Sequence, residues 1–168
     1  MKNIYLIGFM GSGKTTIATA LAEKLGLTEI EMDAWIVNKE GMSINDIFAK
    51  FGESYFRQVE TDLLRELAGK EDIIVSCGGG AVLREENAAL MRQAGRILLL
   101  KAKPETIYER VKDSTERPLL NGNMNVDYIR GLMDARQPRY LAAADAVVVV
   151  DGKSVEEICT EIHEKYMK

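Results

Sequence analysis

Five short β-rich runs are spaced along the chain: "NIYLIG" from Asn3, "EIEMD" from Glu29, "DIIVSC" from Asp72, "RILLLKA" from Arg96 and "DAVVVVDG" from Asp145. Between them lie stretches with apolar residues three or four apart, such as Ile17, Leu21 and Leu25, which is the spacing of a helix with one buried face. The third, fourth and fifth runs are nearly unbroken, the pattern of parallel strands covered on both sides. Strands alternating with helices predict an α/β fold built on a parallel sheet with right-handed crossovers.

Two intervals depart from simple alternation. The segment from Asp33 to Lys70 has room for at least two helices, "AWIVNKEGM" leading into "SINDIFAKFGESYFRQVETDLLRELAG". Ser43 is placed to cap the second, with Asp46 three positions on to favour its first turn. The segment "KDSTERPLLNGNMN", from Lys112 to Asn125, is polar and contains Pro118 and an Asn-Gly pair. It predicts a surface loop, and the arginine it carries, Arg117, makes that loop a candidate lid. No internal repeat or low-complexity tract is visible.

A chain of 168 residues fits one domain with a proper core and a small insertion. Its net charge of −4 argues against coating nucleic acid or an anionic membrane. The apolar start runs into glycines after too few residues to span a bilayer and lacks a cleavage region. A cytoplasmic location is the default expectation, with neither nucleic acid nor membrane as partner. Cys77 and Cys159 form no close-spaced metal or redox pair and are expected to pack as small hydrophobes. The one histidine, His163, lies in a polar terminal segment and supports no triad or metal cluster.

The first strand runs into "GFMGSGKT", which matches G-x-x-x-x-G-K-[ST] from Gly8 to Thr15 with a helical pattern following. Such a loop turns backbone N–H groups inward around phosphate oxygens. Lys14 can reach the outer phosphates and the Thr15 hydroxyl can ligate Mg²⁺. The chain is therefore expected to bind a nucleoside triphosphate, although switches, motors and small-molecule kinases all share this loop.

Other residues narrow the choice. Glu31 and Asp33, two apart on the second predicted strand, are expected to face one crevice at its carboxyl end. One would organise Mg²⁺ through water, and the other would orient or deprotonate an acceptor hydroxyl. Gly78, Gly79 and Gly80 directly follow the third strand, which points to a close backbone approach to a ligand. Arg57 and Arg136 would form a carboxylate site if they meet in the crevice, because a guanidinium fork suits that anion.

Taken together, "GxxGSGKT", the acids ending in Asp33, "SINDIF…FGESYFRQVE", "GGGAV", "RPLL" and the late "RxPxY" resemble the shikimate kinase family, in its order and spacing over nearly the full chain. The resemblance implies a three-layer P-loop NTPase fold of the nucleoside-monophosphate-kinase type. Its five-stranded parallel sheet would carry a helical substrate-binding region over 33–60 and a lid over 112–124. It implies transfer of the γ-phosphate of ATP to the 3-hydroxyl of shikimate, with Mg²⁺, by a monomer. Gly11, Ser12, Gly13, Lys14, Thr15 and Thr16 would hold the nucleotide phosphates, and Arg110 would lie near the adenine. Asp33 would bind acceptor hydroxyls and act as base, while Arg57 and Arg136 clamp the carboxylate. Gly79 would bind a ring hydroxyl, Gly80 would shape the site, and Phe48, Phe56 and Glu60 would line the pocket. Arg117 would reach the phosphates from the lid.

Three positions depart from the family pattern. Glu31 stands in place of the first acid of D-x-D, Val37 replaces an acid four residues after Asp33, and "DGKSVEE" around Lys153 leaves the nucleobase contacts open. A gluconate or nucleotide kinase shares the loop and lid, but Arg57, Arg136 and "GGGA" favour shikimate. A guanine-dependent switch would carry N-K-x-D, which this chain lacks.

Overall fold

A computed structural model describes residues 3–113, Leu120 and residues 122–166. Arg117 and most of the expected lid lie outside the described residues.

Five parallel strands form one sheet: β1 (Asn3–Ile7), β2 (Thr28–Glu31), β3 (Ile73–Ser76), β4 (Gly95–Lys101) and β5 (Ala146–Val149), in the order β2-β3-β1-β4-β5. β1 is central, paired with β3 in the register Ile4↔Ile74 and with β4 in the register Ile4↔Arg96. All four residues of β3 are buried, as expected of its nearly unbroken apolar run, and so are all five of β1, the polar Asn3 included. The same expectation fails for β5. As an edge strand it leaves Val147 and Val149 exposed and buries only Val148 fully.

Helices connect and cover the strands: α1 (Lys14–Leu25), α2 (Met32–Glu40), α3 (Ile44–Leu67), α4 (Glu85–Ala94), α5 (Pro104–Val111), α6 (Val126–Ala143) and α7 (Val155–Tyr166). A 3₁₀ turn, Ala81–Leu83, precedes α4. Caps mark the starts. The Ser43 hydroxyl accepts from the Asp46 N–H at 3.1 Å, and Asn125 accepts from the Tyr128 N–H at 2.8 Å. Ser154 and Glu157 bond reciprocally at the head of α7, a capping box.

β2 stops at Glu31, and Asp33 belongs to α2 rather than to the strand. The two acids therefore do not share a strand face. The cause is local: Glu31 is extended, and its carboxylate accepts from the N–H groups of Asp33 (3.3 Å) and Ala34 (2.5 Å). A side chain that caps a helix ends the strand one residue before that helix begins.

Candidate active site

The phosphate loop joins β1 to α1. Gly8, Gly11 and Gly13 all have positive φ, a conformation costly to other residues. Lys14 is buried, and its ammonium donates to the carbonyls of Gly8 (2.7 Å) and Phe9 (3.0 Å), bracing the loop from inside. Thr15 and Thr16 stand exposed at the head of α1, where free N–H groups and the helix dipole favour anions. Ser12 differs: its hydroxyl is buried beside Gly8 rather than turned to the cleft, and its N–H donates to the Phe9 carbonyl at 3.1 Å. Arg110 of α5 reaches over the loop, donating to the Gly11 carbonyl at 3.1 Å.

A cleft of about 260 Å³ opens above this loop. Lys14, Thr15, Glu31, Asp33, Gly79 and Arg110 are among the residues lining it. Although Asp33 sits on a helix, it still faces the same space as Glu31. Burial pushes the Glu31 carboxyl up, opposed by its bond to the Ala34 N–H. Both Glu31 oxygens are engaged in capping α2, so its structural duty exceeds what its sequence position predicted.

The glycine triplet after β3 is where the charged groups converge. A Cβ on Gly78 would lie 2.5 Å from Glu60 Oε2 and 3.1 Å from Asp33 Oδ1. On Gly79 it would lie 3.2 Å from the Met10 nitrogen and 3.5 Å from Arg136 Nη1. On Gly80 it would lie 2.6 Å from Cζ, Nη1 and Nη2 of Arg57 alike, so that guanidinium lies face-on against the turn. The sequence predicts an approach to a ligand; what crowds these glycines in the structure is the chain's own side chains and the Met10 backbone.

Arg57 pairs with Glu60 (2.8 Å) and Glu53 (3.0 Å) and lies 5.3 Å from the Phe56 ring centre; Phe48 packs on Phe56 at 5.2 Å. Glu60 is fully buried, and burial lifts its pKa to about 7 against the opposing pull of Arg57. Arg136, from α6, is 5% exposed and lies 5.5 Å from the Phe9 ring centre. Its Nη1 is buried and has no hydrogen-bond partner among the described residues. A guanidinium N–H left in that state is costly, and an anion beside Gly79 would relieve it.

Two contributors were not assigned from sequence. Tyr140, one turn after Arg136, is buried and donates its hydroxyl to the Gly79 carbonyl at 2.5 Å. It lies inside the quoted "RxPxY" run, where its i+4 spacing from Arg136 was the available signal. The Ser76 hydroxyl lies 3.3 Å from that of Thr15, a contact only the pairing of β3 beside β1 creates. Cys77 and Cys159 are free and buried, and burial drives the Cys77 thiol far up, which leaves it inert.

A phosphate loop opening onto a cleft, with Arg57 and Arg136 against the glycine turn beside it, on a five-stranded parallel sheet, is the arrangement of a P-loop small-molecule kinase. The shikimate kinase family model matches residues 10–167. A shikimate kinase of Geobacter sulfurreducens is 44% identical over 161 residues, covering 96% of this chain and 88% of that protein. The solved shikimate kinase of Acinetobacter baumannii in complex with shikimate superposes with a TM-score of 0.94 at 33% identity, covering 98% of this chain and 92% of that one. That of Aquifex aeolicus gives 0.82 at 39% identity, covering 95% and 93%. The chain belongs to the shikimate kinase family, whose members use ATP as co-substrate.

Proposed function

We propose that this chain transfers the γ-phosphate of ATP to the 3-hydroxyl of shikimate, releasing ADP and 3-phosphoshikimate, a step of aromatic amino-acid biosynthesis. The observation that carries the acceptor assignment is the buried Arg136 guanidinium, whose Nη1 beside Gly79 has no partner among the described residues. A carboxylated acceptor would meet it with both a hydrogen bond and opposite charge, whereas a neutral sugar hydroxyl would supply only the bond.

In this reading the backbone of 11–16 and the Lys14 ammonium hold the triphosphate, and Arg110 flanks the adenine side. Arg57 and Arg136 take the shikimate carboxylate, Gly79 meets a ring hydroxyl, and Phe48 and Phe56 wall the pocket. Asp33 orients the acceptor hydroxyl and accepts its proton as the oxygen–phosphorus bond forms and the bond to the ADP oxygen breaks. Arg117, from a lid over 112–124, adds positive charge against the transferring group. Residues 33–60 serve as the substrate-binding region.

The donor set suits Mg²⁺: the Thr15 and Ser76 hydroxyls meet beside the Asp33 and Glu31 carboxylates, all hard oxygen ligands. Thr15 would hold the ion, with Glu31 contributing through water. Bound there, it would neutralise phosphate charge. Among the described residues no group of three or more His, Cys, Asp or Glu is placed to cage a metal, which fits an ion that arrives on the nucleotide.

The test is coupled ADP release with ATP and Mg²⁺, comparing shikimate, gluconate, nucleoside monophosphates and no acceptor. Release dependent on shikimate alone is expected. Release with gluconate or a nucleotide instead overturns the acceptor assignment.

A further inference from the structure

Thr61 and Asn87 are polar residues at the centre of the molecule, 0% and 1% exposed, yet neither lines the cleft. They join three elements. The Thr61 hydroxyl, on α3, donates to Asn87 Oδ1 at 2.7 Å. Asn87 Nδ2, on α4, donates to the Ala81 carbonyl at 2.7 Å. Arg84 Nη1 donates to the Thr61 oxygen at 3.2 Å and to Gln58 Oε1 at 3.1 Å. From Arg84 through the Thr61 hydroxyl and the Asn87 carboxamide to the Ala81 carbonyl the bonds run the same way, so each polarises the next, while the bond from Arg84 to Gln58 branches off and the Thr61 hydrogen is shared with the Arg57 carbonyl. The bond from Asn87 Nδ2 to Ala81 fixes the orientation of the amide, leaving only Oδ1 to face Thr61.

The two ends of this chain bracket the acceptor clamp. Thr61 is one helical turn beyond Arg57, whose carbonyl lies 3.1 Å from its hydroxyl. Ala81 is the residue after Gly80, on which the Arg57 guanidinium rests face-on. Arg57, Thr61, Asn87, Ala81 and Gly80 therefore close a ring, one side of which is the contact between arginine and glycine. Apolar residues would fill the same volume without the need to satisfy buried polar groups. What they lack is a defined spacing between α3 and the glycine turn.

We propose that Thr61 and Asn87 are positioning residues of the acceptor clamp, a strut that sets how far Arg57 stands from the glycine turn; this rests on the shikimate reading above. Neither touches substrate. A displacement of about 1 Å in a positioning group can cost ~10²-fold in catalysis, so small changes in the strut are measurable.

The test is steady-state kinetics with both substrates varied, on wild type, Thr61→Val and Thr61→Ser. Thr61→Val keeps the shape and removes the hydroxyl. It is expected to raise KM for shikimate roughly tenfold or more, with KM for ATP within about twofold, whereas Thr61→Ser restores wild-type values. A Thr61→Val KM for shikimate equal to wild type overturns the proposal. So does an equal rise in both KM values, which marks a general loss of structure. If Thr61→Val does not fold, Arg84→Met removes only the partly exposed end of the network. A rise of about threefold or more in KM for shikimate alone is then expected, and no change overturns the proposal. Wild-type enzyme without shikimate-dependent turnover refutes the parent reading instead, so the two failures are distinct.

Discussion

Arg57 and Arg136 meet the glycine turn in different electrostatic states, and their variants should behave differently. Arg57 already has two carboxylate partners, whereas the buried Nη1 of Arg136 has none among the described residues. Arg136→Ala should raise KM for shikimate by about 10²-fold, within the range for removing one member of a buried charge pair, and leave KM for ATP unchanged. A rise in KM for ATP instead would move Arg136 out of the acceptor clamp. Arg117→Ala should lower kcat at least as far as Asp33→Asn, because an arginine at phosphoryl transfer is worth ~10³–10⁵ and a general base ~10²–10⁴; near-normal turnover would remove it from the lid role. Glu60 adds a pH signature. Its folded pKa of about 7 lies above that of a free carboxyl, so the folded state holds the proton more tightly and stability falls as pH rises from about 4.5 to about 7. Denaturant midpoints at pH 5 and pH 8 should favour Glu60→Gln over wild type more at pH 8, and equal differences at both would discount the burial of Glu60.

At the scale of elements, α3 contains its own break. Gly52 adopts φ 85°, ψ 168°, a region essentially reserved for glycine, and joins the Ile44–Phe51 segment to the one bearing Arg57 and Glu60. Beyond the adjoining backbone, no atom of the described residues lies within 4 Å of where a Cβ would stand, so the cost of Gly52→Ala is mainly backbone strain, ~1–3 kcal/mol. Thermal unfolding should show a drop of a few degrees; an unchanged midpoint would mean that the break is not held. This break was not legible in "AKFGESYF", because a glycine inside a helical pattern reads as tolerated unless its φ is known. All five strands were legible as short β-rich runs, nearly unbroken where the sheet is covered on both sides, as in β3. The end of β2 was not, because period-two spacing cannot reveal that Glu31 turns back to cap α2. β5 misled for a related reason: four valines look the same whether the strand is central or at an edge.

At the scale of the molecule, five strands point one way, so their carboxyl ends and the loops that follow them gather residues from distant parts of the chain at one edge. The family was readable because short motifs survive as strings. Which side chains touch was not, because Thr61, Asn87 and Tyr140 act through contacts separated by 26 and 61 residues. Ligand binding should report on this assembly as a whole. A non-hydrolysable ATP analogue at 100 times its Kd contributes about 2.7 kcal/mol, roughly 5–10 °C in unfolding temperature for a chain of this size. Lys14→Ala should lose most of that shift, and retention would place the nucleotide elsewhere.

The central position of β1 also has a consequence in time. β1 is made first, but its two neighbours come from far along the chain: Ile4 pairs with Ile74 on one side, and Asn3 with Gly95 on the other. At ~5–20 residues per second, a ribosome holds "IYLI" without its second partner for roughly 5–20 s. For most of that interval, until β3 is made, the most buried strand of the finished enzyme has no strand partner at all, and it is half-paired for the remainder. α1, which follows it at once and packs on the same sheet, is the shelter available during synthesis.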